Sequence, residues 1–336
     1  MNINKRQTLM LAGLVLLLGC LWMATSSEEL TAIPGGVKQI APGIWFREGE
    51  ISDKGHCNNI WIEMKDYLIV VDANFPSGAE ACLADIKKTS RKRIRYVFDT
   101  HHHGDHMYGN PIWTRLGATT LAHVGVVEEL KRYEPKSWQD TAKERKDVAA
   151  LNLSTAEPPK QTFRENSMVL EDATRRVEFH FFGWAHTRGD GFVYLPKERI
   201  LCTGDAVVNG NFNYLDQGHI ANWPKVIENA QKLNVETVLP GHGVPGGKEV
   251  LEGQKQFFVE LLQAVNTAIK SGKKVEDVVQ KKDGKYLSTS IKLSAKVNNW
   301  ANSSPMFDVV GLPAQVEATF REITTGKPHG EIVGGK

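Results

Sequence analysis

The sequence predicts a mixed α/β fold in which two β-sheets carry helices on their outer faces. Three observations carry that expectation. Short β-rich apolar runs lie between Val37 and Asn74; the apolar run Ile94–Phe98 opens onto a histidine-rich tract; and a second series of strands, from Met168 to Thr203, is followed by helix-prone segments. Strands and helices, then strands and helices again, suit two sheets packed face to face with helices outside. At 336 residues, with 41% hydrophobic and 24% charged content, the chain has an ordinary globular composition. It is long enough for one large domain with an appendage.

The first 27 residues stand apart from the fold. Lys5 and Arg6 precede an apolar, charge-free run from Thr8 to Ala24, the pattern of an export signal. Leu17-Leu18-Gly19-Cys20 resembles a lipobox, in which Cys20 would be acylated and become the mature N-terminus. Cleavage further on, or retention as a single-span anchor, are the alternatives. The expected location is the periplasm, or a membrane to which the N-terminus attaches the chain. Removing residues 1–19 takes away two basic and no acidic residues, which leaves 39 of each sign. A neutral chain has no long-range attraction toward nucleic acid, so a small molecule is the expected partner. Cys57, Cys82 and Cys202 remain; the odd count leaves at least one thiol free, and Cys202, inside an apolar run, reads as buried.

Along the chain, Ile44–Phe46, Asn59–Met64 and Tyr67–Val71 read as antiparallel strands, with a tight turn at Lys65-Asp66. A helix is expected from Ser77, as its cap, to Ser90. The cations Lys87, Lys88, Arg91, Lys92, Arg93 and Arg95 read as its solvated end rather than as an RNA-binding patch. Strand Ile94–Phe98 follows, then a short helix Asn110–Leu116, strand Thr119–Ala122 and a charged helical stretch over residues 123–150. Strands return at Met168–Leu170, Arg176–Phe182, Phe192–Leu195 and Ile200–Thr203. Val177, Phe179 and Phe181 alternate with Glu178, His180 and Phe182, which predicts one buried face. Trp223-Pro224 opens a helix toward Leu233, with proline at the first turn, where a missing N–H costs nothing. Thr237–Leu239 is a short strand; Phe257, Phe258, Leu261, Leu262 and Val265 mark the packed stripe of a helix, and Gln315–Ile323 forms another. The expected organisation is a signal or anchor over 1–27, a main domain over 37–250 and a helical C-terminal extension over 251–336.

Chemistry concentrates at the tract that follows Thr100. His101, His103, Asp105 and His106 are metal-ligand types, and His102 is a spacer. Side chains two apart in an extended segment share a face, so His101 and His103 can converge on one ion while Asp105 and His106 turn toward another. Three more candidates follow predicted strands in glycine-containing turns: His186, Asp205 and His242. Together they complete two sites, with His101, His103 and His186 on one ion and Asp105, His106 and His242 on the other, and Asp205 as the bridge. Nitrogen and oxygen ligands in such small numbers suit zinc; hard oxygen ligation also admits iron or manganese.

Those motifs, in that order, resemble the metallo-β-lactamase-fold superfamily over roughly Val37 to Gly247. The His186–Thr203 stretch, the Trp223-Pro224 helix start and the Pro240-Gly241-His242-Gly243 turn further resemble class B β-lactamases. The resemblance implies a four-layer αββα sandwich with a dinuclear zinc site at the sheet edge. One departure matters: class B β-lactamases generally carry Cys or Ser where this chain has Asp205, an Asp that resembles the bridging carboxylate of glyoxalase II and lactonases. The lysine that often follows three positions later is Val208 here.

The expected reaction is hydrolysis, with a hydroxide held between two ions attacking the carbonyl of a lactone, thioester or cyclic amide. Hydrolysis of β-lactam antibiotics is the alternative, ahead of a phosphodiesterase or nuclease and of a non-catalytic metal-binding module. Asp105 would both ligate and orient the nucleophile. Asp72 and Thr100 are candidates to hold the outer nitrogens of ligating histidines. Substrate contacts are expected from the loop Glu48–Cys57, from Trp113, and from Asn209–His219, with Phe212, Tyr214 and His219.

Overall fold

The protein is described by a computed structural model over residues 33–210, 213–294 and 311–333. The expected signal with Cys20, and Phe212, lie outside those residues. Among the described residues no helix is long and apolar enough to cross a membrane.

Seven strands form the first sheet, in sequence order: β1 Val37–Ala41, β2 Ile44–Arg47, β3 Asn59–Glu63, β4 Tyr67–Val71, β5 Arg93–Phe98, β6 Thr119–His123 and β7 Gln161–Phe163. β1 to β4 pair antiparallel; β4 to β7 pair parallel. The switch follows from connection length. Lys65-Asp66 is too short for anything but a hairpin, whereas a helix crosses from β4 to β5. The second sheet runs β12-β11-β10-β9-β8, from β8 Ser167–Glu171, β9 Arg176–Phe181, β10 Gly191–Leu195, β11 Ile200–Cys202 and β12 Thr237–Leu239. Only its β11–β12 pair is parallel.

The sheets face each other across one apolar layer. Ile44, Phe46, Ile62, Ile69, Val71 and Phe98 from the first meet Val177, Phe179, Val193, Leu195 and Cys202 from the second. Phe98 and Phe179 lie 4.7 Å apart by ring centroid, and burying each such side chain is worth about 1.5–3 kcal/mol. Outside the first sheet, the helix Pro76–Thr89 and the helix Asn110–Arg115 cover Trp61, Leu68, Val70 and Val97. Outside the second, the helices Trp223–Ala230, Glu249–Lys270 and Leu312–Thr325 bury Trp223, Phe258, Leu261, Val265 and Val316. The layers are therefore α, β, β and α.

Several local expectations are corrected. Ser77 is not the cap of its helix, which starts at Pro76; the Ser77 hydroxyl donates to Asp147 Oδ2 at 2.6 Å. The loop Glu48–Cys57 contains a helical turn, Ile51–Lys54. The C-terminal stretch is not wholly helical. It includes an antiparallel hairpin, β13 Val279–Lys282 with β14 Lys285–Thr289, and its helices share the core outside the second sheet. Strand β7 was not expected, because three residues with one buried side chain leave no periodic signal. Cys57, Cys82 and Cys202 are all free and buried.

Candidate metal centre

The histidine tract begins where β5 ends. Parallel strands open at their C-terminal ends onto loops, and β5 releases Thr100–His103 into a helical turn, Gly104–Met107. Asp105 and His106 lie on that turn, while His101 and His103 precede it. His186 follows β9, Asp205 follows β11 in a 3-10 turn, and His242 follows β12. The second sheet thus delivers its three residues from strand ends that face the end of β5.

Two groups of ligand atoms form, joined by Asp205. In the first, His103 Nδ1 stands 3.1 Å from His101 Nε2 and 3.0 Å from His186 Nε2. Ligands held about 2.0–2.1 Å from a tetrahedral zinc would stand about 3.4 Å apart, so these three nitrogens nearly span one face of that polyhedron. In the second, His242 Nε2 is 3.0 Å from Asp105 Oδ2 and 3.4 Å from His106 Nε2. Asp205 reaches both: its carboxylate lies 3.4 Å from His106 Nε2, 3.4 Å from His242 Nε2 and 3.9 Å from His186 Nε2. Its Oδ1 is buried with no hydrogen-bond partner among the described residues. A Cβ on Gly241 would fall 2.1 Å from that oxygen, so only glycine lets the His242 turn close over Asp205.

The outer nitrogens of four of the five histidines in these groups face an oxygen. His101 Nδ1 faces Thr100 Oγ1 at 3.1 Å, His103 Nε2 faces Gln217 Oε1 at 2.6 Å, and His186 Nδ1 donates to the Tyr214 carbonyl at 2.9 Å. In the second group His106 Nδ1 donates to Asp72 Oδ2 at 2.9 Å. The carbonyl and carboxylate partners, which can only accept, select the tautomers that leave the inward nitrogens of His103, His186 and His106 as lone-pair donors. Asp72 adopts a left-handed backbone, φ 63°, which turns its carboxylate across to the neighbouring strand end, where Oδ1 also accepts from Thr100 N at 2.8 Å. Asp tolerates that conformation better than most residues.

Burial sets the electrostatics of the first group. It keeps the His101, His103 and His186 imidazoles below the usual histidine range, His186 at about 3, so all three are neutral and able to ligate. In the second group burial opposes protonation, but the carboxylates of Asp105 and Asp205 outweigh it and raise His106 and His242, the latter to about 9. The same two carboxylates that draw protons onto those rings would draw a divalent cation.

The structure brings His101, His103, Asp105, His106, His186, Asp205 and His242 together, with Asp72 and Thr100 behind them. His102 points away and stacks on Tyr133 at 5.4 Å. The Tyr214 ring lies 5.8 Å from that of His103, beside the site. Trp113 does not line it. It is fully buried beneath the first sheet and donates to the Ala73 carbonyl at 2.9 Å. His219 packs against Trp184 and faces Glu322 at 3.8 Å, away from the ligand groups. His56 pairs with Ser77, and His123 accepts from Gly125 N at a helix start.

Sequence reasoning missed several supports. Asp190, buried, accepts from the backbone N–H groups of Ala185, His186 and Thr187 and so shapes the turn that carries His186. Its position four residues after His186 was a readable signal. Cys57 stands near Asp72 and His106, but burial pushes its thiol up to about 12, and a protonated thiol is a poor ligand.

Comparison with known proteins identifies the family. A family profile described as the metallo-beta-lactamase superfamily matches residues 52–242. The chain is 26% identical over 207 residues to the metallo-beta-lactamase type 2 of Bacillus sp. (strain 170), covering 58% of this chain and 69% of that protein. It is similarly 26% identical over 209 residues to the type 2 enzyme of Bacillus cereus, covering 58% and 70%. Among solved structures, the metallo-beta-lactamase from Hirschia baltica superposes with a TM-score of 0.53 at 22% identity, covering 66% of this chain and 97% of that one. At that identity the likeness speaks for the fold.

Proposed function

Because the chain belongs to the metallo-β-lactamase superfamily of hydrolases, we propose that it is an exported, dinuclear zinc-dependent hydrolase of small carbonyl compounds, namely lactones, thioesters or cyclic amides. The observation that carries this reading is the carboxylate of Asp205 set between two ligand groups, within 3.4 Å of His106 and His242 and 3.9 Å of His186.

His101, His103 and His186 would hold one ion, and Asp105, His106 and His242 the other, with Asp205 shared. Ions so held supply Lewis acidity toward a carbonyl oxygen and bring a water pKa down toward neutrality. The chain's own groups do the rest. Asp105, whose Oδ2 is within reach of both His106 and His242, orients the attacking water by accepting a hydrogen bond from it. Asp72 keeps His106 in one tautomer, and Thr100 holds the His101 ring in place. Tyr214, beside His103, forms part of the wall against which an acyl chain would lie.

The carboxylate at 205 and the buried, uncharged Val208 favour lactones and thioesters over substrates that need a cationic anchor. The β-lactam reading is the second one, favoured by the type 2 metallo-beta-lactamase relatives. Zinc-loaded protein offered an acyl-lactone, a thioester, a chromogenic cephalosporin and a phosphodiester separates them. Turnover of the lactone or thioester above the other two supports the proposal, and a clear preference for the cephalosporin replaces it with the second. Export rests on Lys5, Arg6 and the apolar run to Ala24; recovery of the full-length chain from the cytosol of expressing cells would refute it.

A further inference from the structure

The C-terminal segment 311–333 lies beyond the family match, which ends at residue 242. We propose that this segment is a brace for the first metal site, acting through residues 213–219, with Gln217 as the positioning residue. The inference rests on the reading of His101, His103 and His186 as one ion's ligands.

One loop supplies two of the three outer contacts in that group. Gln217 Oε1 accepts from His103 Nε2 at 2.6 Å, and the Tyr214 carbonyl, three residues earlier, accepts from His186 Nδ1 at 2.9 Å. Neither acceptor can be placed by the sheets, because residues 213–219 belong to no strand. What holds the loop comes from elsewhere. The Gln217 carbonyl accepts from Trp184 Nε1 at 2.8 Å, and the Gly218 carbonyl accepts from the Gly330 N–H at 2.8 Å.

Residues outside the C-terminal segment tie the loop's two ends, through His219 N to the Ala185 carbonyl and Asn213 Nδ2 to Gln254 Oε1. The last helix of the described chain, His329–Val333, and the helix Leu312–Thr325 supply further ties. Glu322, buried, accepts from the N–H groups of Ile220 and Ala221 just after the loop, and from His329 N. Gln315 Nε2 donates to the Asn213 carbonyl at the start of the loop. His329 faces Asp216 at 3.7 Å. The fit is close: a Cβ on Gly330 would lie 2.6 Å from the Gln217 carbonyl oxygen, backbone that cannot give way cheaply. Each tie taken alone is modest, as ordinary hydrogen bonds are. Together they hold an irregular loop in the one place where Gln217 and Tyr214 meet the ligand rings.

The test reads zinc affinity rather than turnover, by competition with a chromophoric chelator, on the full chain carrying His106→Ala and His242→Ala, so that the three-histidine group is the one that keeps its imidazoles. Gln217→Met removes the acceptor at nearly constant length, Gln217→Glu keeps it, and Gly330→Ala pushes on the Gln217 carbonyl from the far end of the chain. Gln217→Met is expected to weaken zinc binding about ten- to a hundredfold, Gln217→Glu to stay within about threefold of the parent, and Gly330→Ala to weaken binding in the same direction. Thermal midpoints of the metal-free Gln217 variants should match the parent, which a merely structural role would not predict. Parent-like affinity in both Gln217→Met and Gly330→Ala would overturn the brace while leaving the metal centre intact. If the unsubstituted chain bound no zinc, the reading of the site itself would fall, and this inference with it.

Discussion

Asp72 Oδ2 stands 2.9 Å from His106 Nδ1, with both side chains essentially buried. The pair links the end of β4 to the turn after β5, and the same carboxylate fixes the start of the histidine tract through Thr100 N. Since His106 presents its other nitrogen to Asp205 and His242, the orientation of the second ligand group depends on a residue outside that group.

Asp72→Ala should therefore weaken binding of the metal equivalent held by Asp105, His106 and His242 by about ten- to a hundredfold, and the other, reached only through Thr100, by less. Isothermal titration with zinc would show two separated affinities in the variant. Two unchanged affinities would mean that His106 is oriented by other groups.

Asp205→Ala should lose the ion held by Asp105, His106 and His242, and with it turnover, because the shared carboxylate is removed from both groups. Elemental analysis after dialysis checks this. Two ions retained per chain would contradict the bridging role.

His102→Ala should keep full metal content, since the ring faces Tyr133 and not the ligand atoms. The same variant should be less stable, by about 1–3 kcal/mol as for a lost buried side chain, read from denaturant unfolding of the metal-free protein. Loss of one metal equivalent would show that the ligand register is shifted.

His56 offers a pH-dependent prediction away from the ligands. Burial lowers its pKa from 6.5 to about 4, with Arg47, Arg145 and Lys54 pushing the same way and Glu50 opposing. Its folded pKa lies below the unfolded one, so the stability it contributes is present above pH 6.5 and is lost as pH falls through about 4. His56→Gln should flatten that part of the stability profile relative to the parent. Thermal midpoints between pH 7 and 4 test this, and parallel profiles would refute it.

Much of the site was legible because its signals are local. Four potential ligands within six residues after an apolar strand, and His or Asp in glycine-containing turns after later strands, can be read from spacing alone. So can Asp72, as a carboxylate ending an apolar strand. Trp113 was misjudged for the converse reason: an aromatic near a ligand tract in sequence need not face it, and the helix Asn110–Arg115 turns it beneath the sheet. Gln217 and the Tyr214 carbonyl were unreadable as outer partners, because their roles depend on a loop held by residues a hundred positions away.

By itself the chain determined which residues have the chemistry to bind metal, and which strands deliver them, because period-two burial and strand-end turns are written in adjacent residues. Tertiary structure alone decided which nitrogen of each ring faces inward, that Asp205 stands between the groups, and that the C-terminal segment reaches the loop behind His103. Those are relations of a few ångströms between residues far apart in sequence, set by how two sheets and their outer helices close on one another.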